Sequence, residues 1–197
     1  MAERIIVFLI LLFPSMVFCE NFTGDLVLAA IERTKQNVTY DGSYFSIPYP
    51  NGDVPSNIGV CTDVIIRSYR AMNVDLQKLV HEDMKGNFNE YPSKRIWGLS
   101  RTDRNIDHRR VPNLKVFFKR NGKSLPITQS GADYKAGDIV TWSLPGNLPH
   151  IGIVSSRKST KTGYPLIVHN IGSGPAIEDM IFSYRITGHY SFVPQQM

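Results

Sequence analysis

The spacing of apolar residues changes about halfway along the chain. In the N-terminal part they recur every three or four positions, which is the period of a helix with one buried face. This spacing predicts a first helix over residues 23–36 (TGDLVLAAIERTKQ) and a third within VDLQKLVHEDMKGNF. Between them, a second helix is predicted from about Asn57 to Met72, with one stripe formed by Cys61, Val64, Ile65, Ser68, Tyr69 and Met72.

From Val116 onward the apolar residues fall in short β-branched and aromatic runs. These runs are LKVFFKR, DIVTWSL, HIGIVSS, PLIVHNI and GHYSFV, separated by turn-forming stretches such as NGKSLP and PGNLP. The pattern predicts strands joined in an antiparallel meander. Residues 91–112 are polar and basic, and we expect a loop with a turn or two of helix. Helices followed by strands indicate an α+β domain with its N-terminal helices packed on an antiparallel sheet.

Chain length and the N-terminal segment indicate how the chain is divided into domains and a leader. A chain of 197 residues favours a single domain. Residues 1–19 have a basic residue, an apolar run too short to span a membrane and a following Pro14, the order of a secretory signal peptide. We therefore expect a signal peptide at 1–19, a domain at 20–197, and export to the periplasm or the extracellular space; a retained N-terminal anchor is the alternative. We expect a monomer without stable membrane insertion after signal cleavage.

The positive charge is not concentrated in any one segment. The net charge of +5 is spread along the chain, and no arginine-rich run or nucleic-acid module is visible. We therefore expect no nucleic-acid partner, while an anionic polymer such as cell wall and an ordinary solvated surface both remain open.

Cysteine usage draws attention to Cys61. The chain has two cysteines, and if Cys19 leaves with the signal peptide, Cys61 is a lone thiol in an oxidising compartment. Cys61 lies at the predicted start of the second helix, where unpaired backbone N–H groups and the helix dipole lower a thiol pKa. The residue is therefore a candidate nucleophile, and a small buried core residue is the alternative interpretation.

Two histidines are candidates for the base that such a nucleophile needs. His150 begins one predicted strand and His169 lies near the end of the next, so both can lie on one sheet face. If the Cys61 helix packs on that face, the thiol and both imidazoles converge, and Gly152 beside His150 leaves space. Asn170 replaces His169 in the orienting role if the strand phase differs by one residue.

The order of these motifs resembles that of the NlpC-type cysteine peptidases of the papain-like clan, which cut bacterial cell-wall peptides. The resemblance covers about Tyr49 to His169: a cysteine at a helix start, AGDIVTW, HIGIV and IVHN. More closely, GDVPSNIGVCTDVIIRSYR, VHEDM, IDHRRVPNL, GDIVTW, HIGIV and VHNIG identify the chain as similar to the bacterial family catalogued as domain of unknown function 1287.

The superfamily resemblance implies a papain-like fold, a hydrolase and a Cys-His-His triad. In it Cys61 is the nucleophile, His150 the general base and His169 the residue that orients His150. It also implies a tyrosine ahead of the cysteine helix that lines the substrate site and helps to stabilise the oxyanion. Tyr49 is the candidate for that tyrosine, with Tyr44 behind it. The implied substrates are peptidoglycan stem or cross-link peptides.

The chain also departs from the superfamily pattern around the cysteine. Val60 stands where an acid is usual, and Thr62 and Asp63 follow Cys61. Asp63 therefore changes the charge expected at the substrate subsite.

Further candidates come from the residues alone. His108 and Arg109 lie in the motif NIDHRRVPN, where paired guanidiniums suit the carboxylates of a peptide ligand, and a salt-bridged surface loop is the alternative. No metal-ligand spacing such as HExxH is present, and we expect neither a metal nor another cofactor. Two other functions remain open: an acyltransferase or amidase of the same clan, and a cell-wall binding module without turnover.

Overall fold

The structure is a computed structural model that describes residues 13–194, with side chains described from residue 22. Within these residues the helices are α1 (Phe13–Arg33), α2 (Cys61–Ala71), α3 (Leu76–Gly86), α4 (Ser93–Trp97) and α5 (Val111–Asn121). The strands are β1 (Thr39–Tyr40), β2 (Ile58–Gly59), β3 (Lys123–Ser124), β4 (Ile139–Leu144), β5 (Leu148–Lys158), β6 (Pro165–His169), β7 (Ala176–Glu178) and β8 (Arg185–Ser191). The predicted signal peptide lies outside the described side chains, and it stays a prediction.

The main sheet has six strands in the order β3-β8-β4-β5-β6-β7, and each neighbouring pair is antiparallel. Strands β4 to β7 follow one another as the predicted meander. The prediction of a meander is wrong for β8, because this strand crosses back and lies between β3 and β4. A separate parallel pair joins β1 to β2, with Tyr40 opposite Gly59.

The two faces of the sheet are covered differently. Helices α1, α2, α3 and α5 bury one face, where Leu26 and Ile65 share a core with Ile151 and Ile153. The opposite face carries Val140, Trp142, Val154 and Ile167 under Tyr134, Met180 and Ile181. The α+β class and the packing of the N-terminal helices on an antiparallel sheet are therefore confirmed.

Helix boundaries differ from the prediction in three places. The second helix begins at Cys61 rather than at about Asn57, because residues 58–59 form strand β2. The first helix begins at Phe13 and ends at Arg33 rather than covering 23–36. The run LKVFFKR was predicted as a strand and is part of α5, with Pro112 at its start. Leu114, Phe117 and Phe118 are fully or almost fully buried at helical spacing. Short apolar runs fit both periods, so helix and strand cannot be told apart from such a run alone.

The segment between α3 and α5 contains short helical turns, as predicted. They are a 3-10 turn at 88–90, α4, and a second 3-10 turn at 107–109. In the described part of the chain, no helix combines the length and apolar character that a membrane crossing requires.

Candidate functional site

Cys61 is the first residue of α2, and its side chain is only 4% exposed. Its sulfur lies within hydrogen-bonding reach of two backbone N–H groups, those of Ile151 and Thr62, and of the Tyr40 hydroxyl. The Ile151 N–H belongs to the peptide group that links His150 to Ile151. The thiol therefore lies against strand β5 at the position of His150.

Convergence of the thiol with both imidazoles was expected on the condition that α2 packs on the sheet face that carries the histidines, and α2 packs on the other face. The apolar cluster of Cys61 contains Ile151 and Ile153, whereas the His150 ring lies 6.0 Å from the Trp142 ring of the opposite cluster. Successive strand residues project to opposite faces, so His150 and Ile151 cannot share one. The Cys61 sulfur meets the backbone of β5 at the Ile151 N–H.

The two histidines form a hydrogen-bonded pair on neighbouring strands. His150 Nε2 lies 2.9 Å from His169 Nδ1, and the rings are T-shaped with centroids 5.1 Å apart. Both side chains are 1% exposed. The structure thus brings together the predicted histidines, and it answers the question of strand phase: His169, not Asn170, contacts His150. The Asn170 Oδ1 accepts the Gly172 N–H instead, at 3.1 Å.

Glu178 extends this pair, and sequence reasoning missed it. Its Oε2 lies 2.9 Å from His169 Nε2, and its side chain is 52% exposed. An ionised carboxylate only accepts hydrogen bonds, so His169 Nε2 must donate and the Nδ1 of a neutral His169 must accept. His150 Nε2 then donates, which leaves His150 Nδ1 unprotonated. No sequence signal marks Glu178, because β7 has only three residues and shows no strand pattern before its pairing with β6 is known.

Burial keeps the thiol and the imidazole neutral. Burial raises the pKa of Cys61 to about 11, outweighing the N–H of Ile151, which lowers it. Burial, together with the neighbouring His169, lowers the pKa of His150 to about 3. The helix start was expected to lower the pKa of the thiol. Removal from water dominates instead, because it disfavours whichever form is charged.

Tyr40, rather than Tyr49, is the tyrosine beside the thiol. The β1–β2 pair places Tyr40 opposite Gly59, two residues before Cys61. Its hydroxyl is hydrogen-bonded to the sulfur and to the Cys61 N–H, and burial raises its pKa to about 12.

Tyr49 and Tyr44 have other neighbours. The Tyr49 ring lies 5.1 Å from His81, with the Arg104 guanidinium 5.8 Å from its centroid. The Tyr44 hydroxyl donates to Asp103 at 3.0 Å. The structure does not bring either of these tyrosines to Cys61.

Asp63 and Arg109 are buried and contact each other. The guanidinium donates to both carboxylate oxygens at 2.9 Å, and both side chains are 3% exposed. Asp63 also accepts the Val60 N–H at 2.7 Å, and Arg109 reaches the carbonyl oxygens of Ser43 at 3.2 Å and Asp41 at 3.3 Å. The pair thereby fixes the first turn of α2, on which Cys61 lies, to the segments around it.

His108 is buried, and burial lowers its pKa to about 3, with Arg109 as the next cause. Arg110 stacks over Trp97 at 4.0 Å and forms an ion pair with Asp107 at 3.4 Å. The two guanidiniums of the motif therefore have different partners within the protein: Arg109 pairs with Asp63, and Arg110 with Asp107 and Trp97. Among the residues that the structure describes, no three His, Cys, Asp or Glu side chains are grouped so that they could hold a metal ion.

A groove of about 890 Å³ lies next to the histidine pair. Two neighbours of His150 line this groove. Trp142 faces His150 across the β4–β5 pair, and Pro149 precedes His150 in the chain. Four cations in the lining form no ion pair within the described residues: Lys94, Arg95, Lys115 and Arg185. Glu90 is the acid among the lining residues. The groove is thus suited to an anionic ligand.

Comparison with known proteins adds a family but no activity. The chain is 54% identical over 163 residues to the uncharacterized protein YijF of Escherichia coli (strain K12), a match that covers 83% of this chain and 78% of that protein. The family model described as "Domain of unknown function (DUF1287)" matches residues 27–192, a range that contains Tyr40, Cys61, His150, His169 and Glu178. The chain therefore belongs to the DUF1287 family.

Proposed function

We propose that this protein is an exported cysteine hydrolase with a papain-like, NlpC-type fold that cleaves an amide bond in peptides. The proposed substrates are the stem or cross-link peptides of peptidoglycan. One observation carries the proposal: a hydrogen-bonded chain runs from Glu178 through His169 to His150, beside the strand segment that the Cys61 sulfur contacts.

The tautomers of this chain support a general base at His150. Glu178 accepts from His169, and His169 accepts from His150, so the basic nitrogen of His150 is Nδ1. A base oriented by a second group, which is itself oriented by a third, is the arrangement that activates a nucleophile.

In the proposed reaction the thiol proton passes from Cys61 to His150 Nδ1 as the sulfur attacks the amide carbon. The C–S bond forms, the C–N bond breaks, and the proton on His150 goes to the leaving amine. Water then attacks the thioester and gives a proton to His150. The C–S bond breaks, His150 returns this proton to the departing sulfur, and the carboxylic acid and the Cys61 thiol are released. The Cys61 N–H and the Tyr40 hydroxyl, both beside the sulfur, are the proposed donors to the oxyanion.

Charge in the neighbouring groove supports a substrate that carries carboxylates. Lys94, Arg95, Lys115 and Arg185 line it without ion-pair partners in the described chain. Burial and the neighbouring Arg185 lower the pKa of Lys115. Peptides with acidic side chains and free carboxyl termini fit this field.

The test is digestion of purified peptidoglycan followed by mass spectrometry of the released fragments. We expect wild-type protein to release peptides with new free amine and carboxyl ends, and Cys61→Ala and His150→Ala to release none. Arg157→Gln, at an exposed position near the other end of β5, is the control and should leave the products unchanged. Equal release by Cys61→Ala would show that the mechanism is wrong. Fragments that carry an acylated acceptor instead of free ends would identify an acyltransferase of the same clan.

A second function, binding to the cell wall without turnover, is favoured by one observation. Cys61 is buried with a pKa raised to about 11, and His150 has a pKa lowered to about 3, so the closed site holds no thiolate. Retention of wild-type and Cys61→Ala protein on isolated cell wall, with no fragment released by either, would support this function over hydrolysis.

A further inference from the structure

One buried side chain connects the two segments that meet at the thiol. The Arg109 guanidinium donates on one side to both carboxylate oxygens of Asp63, in the first turn of α2. On the other side it donates to the carbonyl oxygens of Asp41 at 3.3 Å and Ser43 at 3.2 Å. Asp41 and Ser43 belong to the segment that follows β1. A single planar group therefore binds this segment to the start of α2.

The position of Tyr40 depends on how this segment is held. Tyr40 is 43% exposed, and its strand β1 has two residues and pairs with the equally short β2 in a two-stranded sheet. Such a small isolated sheet is marginally stable by itself. The Tyr40 hydroxyl is nevertheless hydrogen-bonded to the sulfur and the N–H of Cys61. This contact therefore relies on the bonds that Arg109 makes to the two carbonyl groups directly after β1.

The turn that carries Cys61 is bound to the same residue. Asp63 Oδ2, which accepts from Arg109 Nη2, also accepts the Val60 N–H at 2.7 Å. The Thr62 hydroxyl donates to the Arg109 carbonyl oxygen at 3.0 Å. A guanidinium is planar and holds its donors in a fixed geometry. The thiol and the phenol are thus both placed relative to one rigid group.

We propose that Arg109 is a positioning residue that holds the Tyr40 hydroxyl against Cys61. Resting on the proposed function, the inference gives Arg109 the task of aligning the two oxyanion donors, the Tyr40 hydroxyl and the Cys61 N–H. Such donors are effective when their geometry is set before the reaction, and a displacement of about 1 Å can cost about a hundredfold in rate. Because Arg109 acts through these donors and not on the substrate, its replacement should lower kcat and leave KM unchanged.

The first test is a double-mutant cycle on the reactivity of the thiol. The variants are made in Cys19→Ser protein, whose sole thiol is Cys61, and the rate of labelling by iodoacetamide is measured at pH 9. Tyr40→Phe removes a donor to the thiolate and should lower this rate about tenfold. Arg109→Lys keeps a positive charge beside Asp63 but loses the planar fork, so in this background Tyr40→Phe should lower the rate less than about threefold. The same effect of Tyr40→Phe in both backgrounds would overturn the inference.

Arg70→Lys is the matched control for the cycle. Arg70 also donates to a carboxylate, that of Asp53, and to a backbone carbonyl oxygen, but it lies in the last turn of α2. In this background Tyr40→Phe should still lower the labelling rate about tenfold. A reduced effect in Arg70→Lys as well would show that Arg109 has no particular role in placing Tyr40.

A second variant keeps the cycle decisive if Arg109→Lys does not fold. Asp63→Asn together with Arg109→Gln removes both buried charges, so neither charge is left without its partner. The double substitution also removes the planar fork, and it should reduce the effect of Tyr40→Phe as Arg109→Lys does. An undiminished effect of Tyr40→Phe in this protein would contradict the proposal.

The second test measures steady-state cleavage of soluble peptidoglycan fragments. We expect Arg109→Lys to lower kcat about tenfold or more and to change KM less than about twofold, at a temperature well below its unfolding midpoint. A raised KM with an unchanged kcat would overturn the inference, because it would assign Arg109 to substrate binding.

The two tests separate this inference from the proposed function. If the cycle shows the reduced effect of Tyr40→Phe but no thiol-dependent cleavage occurs, Arg109 positions Tyr40 and the hydrolase proposal is wrong. If thiol-dependent cleavage occurs and Tyr40→Phe has its full effect in Arg109→Lys, the hydrolase proposal stands and the positioning role of Arg109 is wrong.

Discussion

Alkylation with iodoacetamide tests whether the Cys61 thiol and the His150 imidazole are uncharged in the free protein. The reagent reacts with the thiolate, so its rate follows the thiolate fraction. Burial raises the pKa of Cys61 from 9.0 to about 11, a shift that reduces the thiolate fraction about a hundredfold at neutral pH. Cys19→Ser protein leaves Cys61 as the sole thiol, and its labelling is followed by intact mass from pH 6 to pH 11. The same chain unfolded in guanidinium chloride gives the reference rate.

We expect folded protein to react about a hundredfold or more slowly than the unfolded reference at pH 7.5. Because burial also hinders access of the reagent, the pH at which the rate rises is the decisive quantity, and we expect it above pH 10. Tyr40→Phe removes one donor to the sulfur and should move this rise to higher pH. A rise below pH 8 that disappears in His150→Ala would refute the reasoning, because it would show an ionised thiolate–imidazolium pair in the free protein.

Three further predictions concern stability and the residues around the site. Asp63→Asn leaves the buried guanidinium of Arg109 without its anion and should lower the free energy of unfolding, measured by urea titration, by about 3–5 kcal/mol. Glu32→Gln is the control: it breaks an exposed pair with Lys35 and should change the free energy of unfolding by less than about 1 kcal/mol. The pKa values of His150 and His108 are lowered to about 3, so between pH 3 and 6.5 the unfolded chain binds more protons at these histidines than the folded protein does. The free energy of unfolding should therefore fall as pH falls through this window. Asp107, with a pKa raised to about 6, binds a proton in the folded protein between pH 4 and 6 and offsets the effect of one of the two histidines there. In urea titrations at several pH values, His150→Gln should reduce the slope by up to about 1.4 kcal/mol per pH unit, and an unchanged slope would contradict the lowered pKa. Glu178→Ala removes the acceptor that fixes the His169 tautomer and should reduce peptide cleavage about tenfold to a hundredfold with an unchanged unfolding midpoint; full activity would show that His169 needs no such partner.

The histidine pair could be predicted from the sequence because its geometry is local to two consecutive strands. His150 and His169 lie on strands joined by a short connection, and the two-residue period of a strand fixes which face each side chain takes. The position of Cys61 in the first turn of α2 was also predictable from nearby residues, because a polar loop precedes the apolar stripe of this helix.

Tyr40 and Glu178 could not be predicted in the same way, because the strands on which they lie, β1 and β7, are only two and three residues long and too short to show a strand pattern. Tyr40 reaches the thiol through the parallel β1–β2 pair, which joins residues 19 positions apart. Glu178 reaches His169 because β7 pairs with β6 in one particular register. The Asp63–Arg109 pair joins side chains 46 residues apart. Sequence shows two charged residues in separate motifs, and only the fold shows that they neutralise each other.

The position of β8 has a consequence for how the chain folds. The strand at residues 185–191 lies between β3 and β4, and the Phe192 carbonyl next to it accepts the hydrogen bond of the buried Tyr69 hydroxyl at 2.8 Å. Until these residues are available, β4 has an unpaired edge and the core around Tyr69 lacks one wall. An unpaired β edge is a site for association with other chains, and contacts this distant in sequence form slowly. A chain shortened before Arg185 should therefore aggregate rather than fold to a smaller version of the domain.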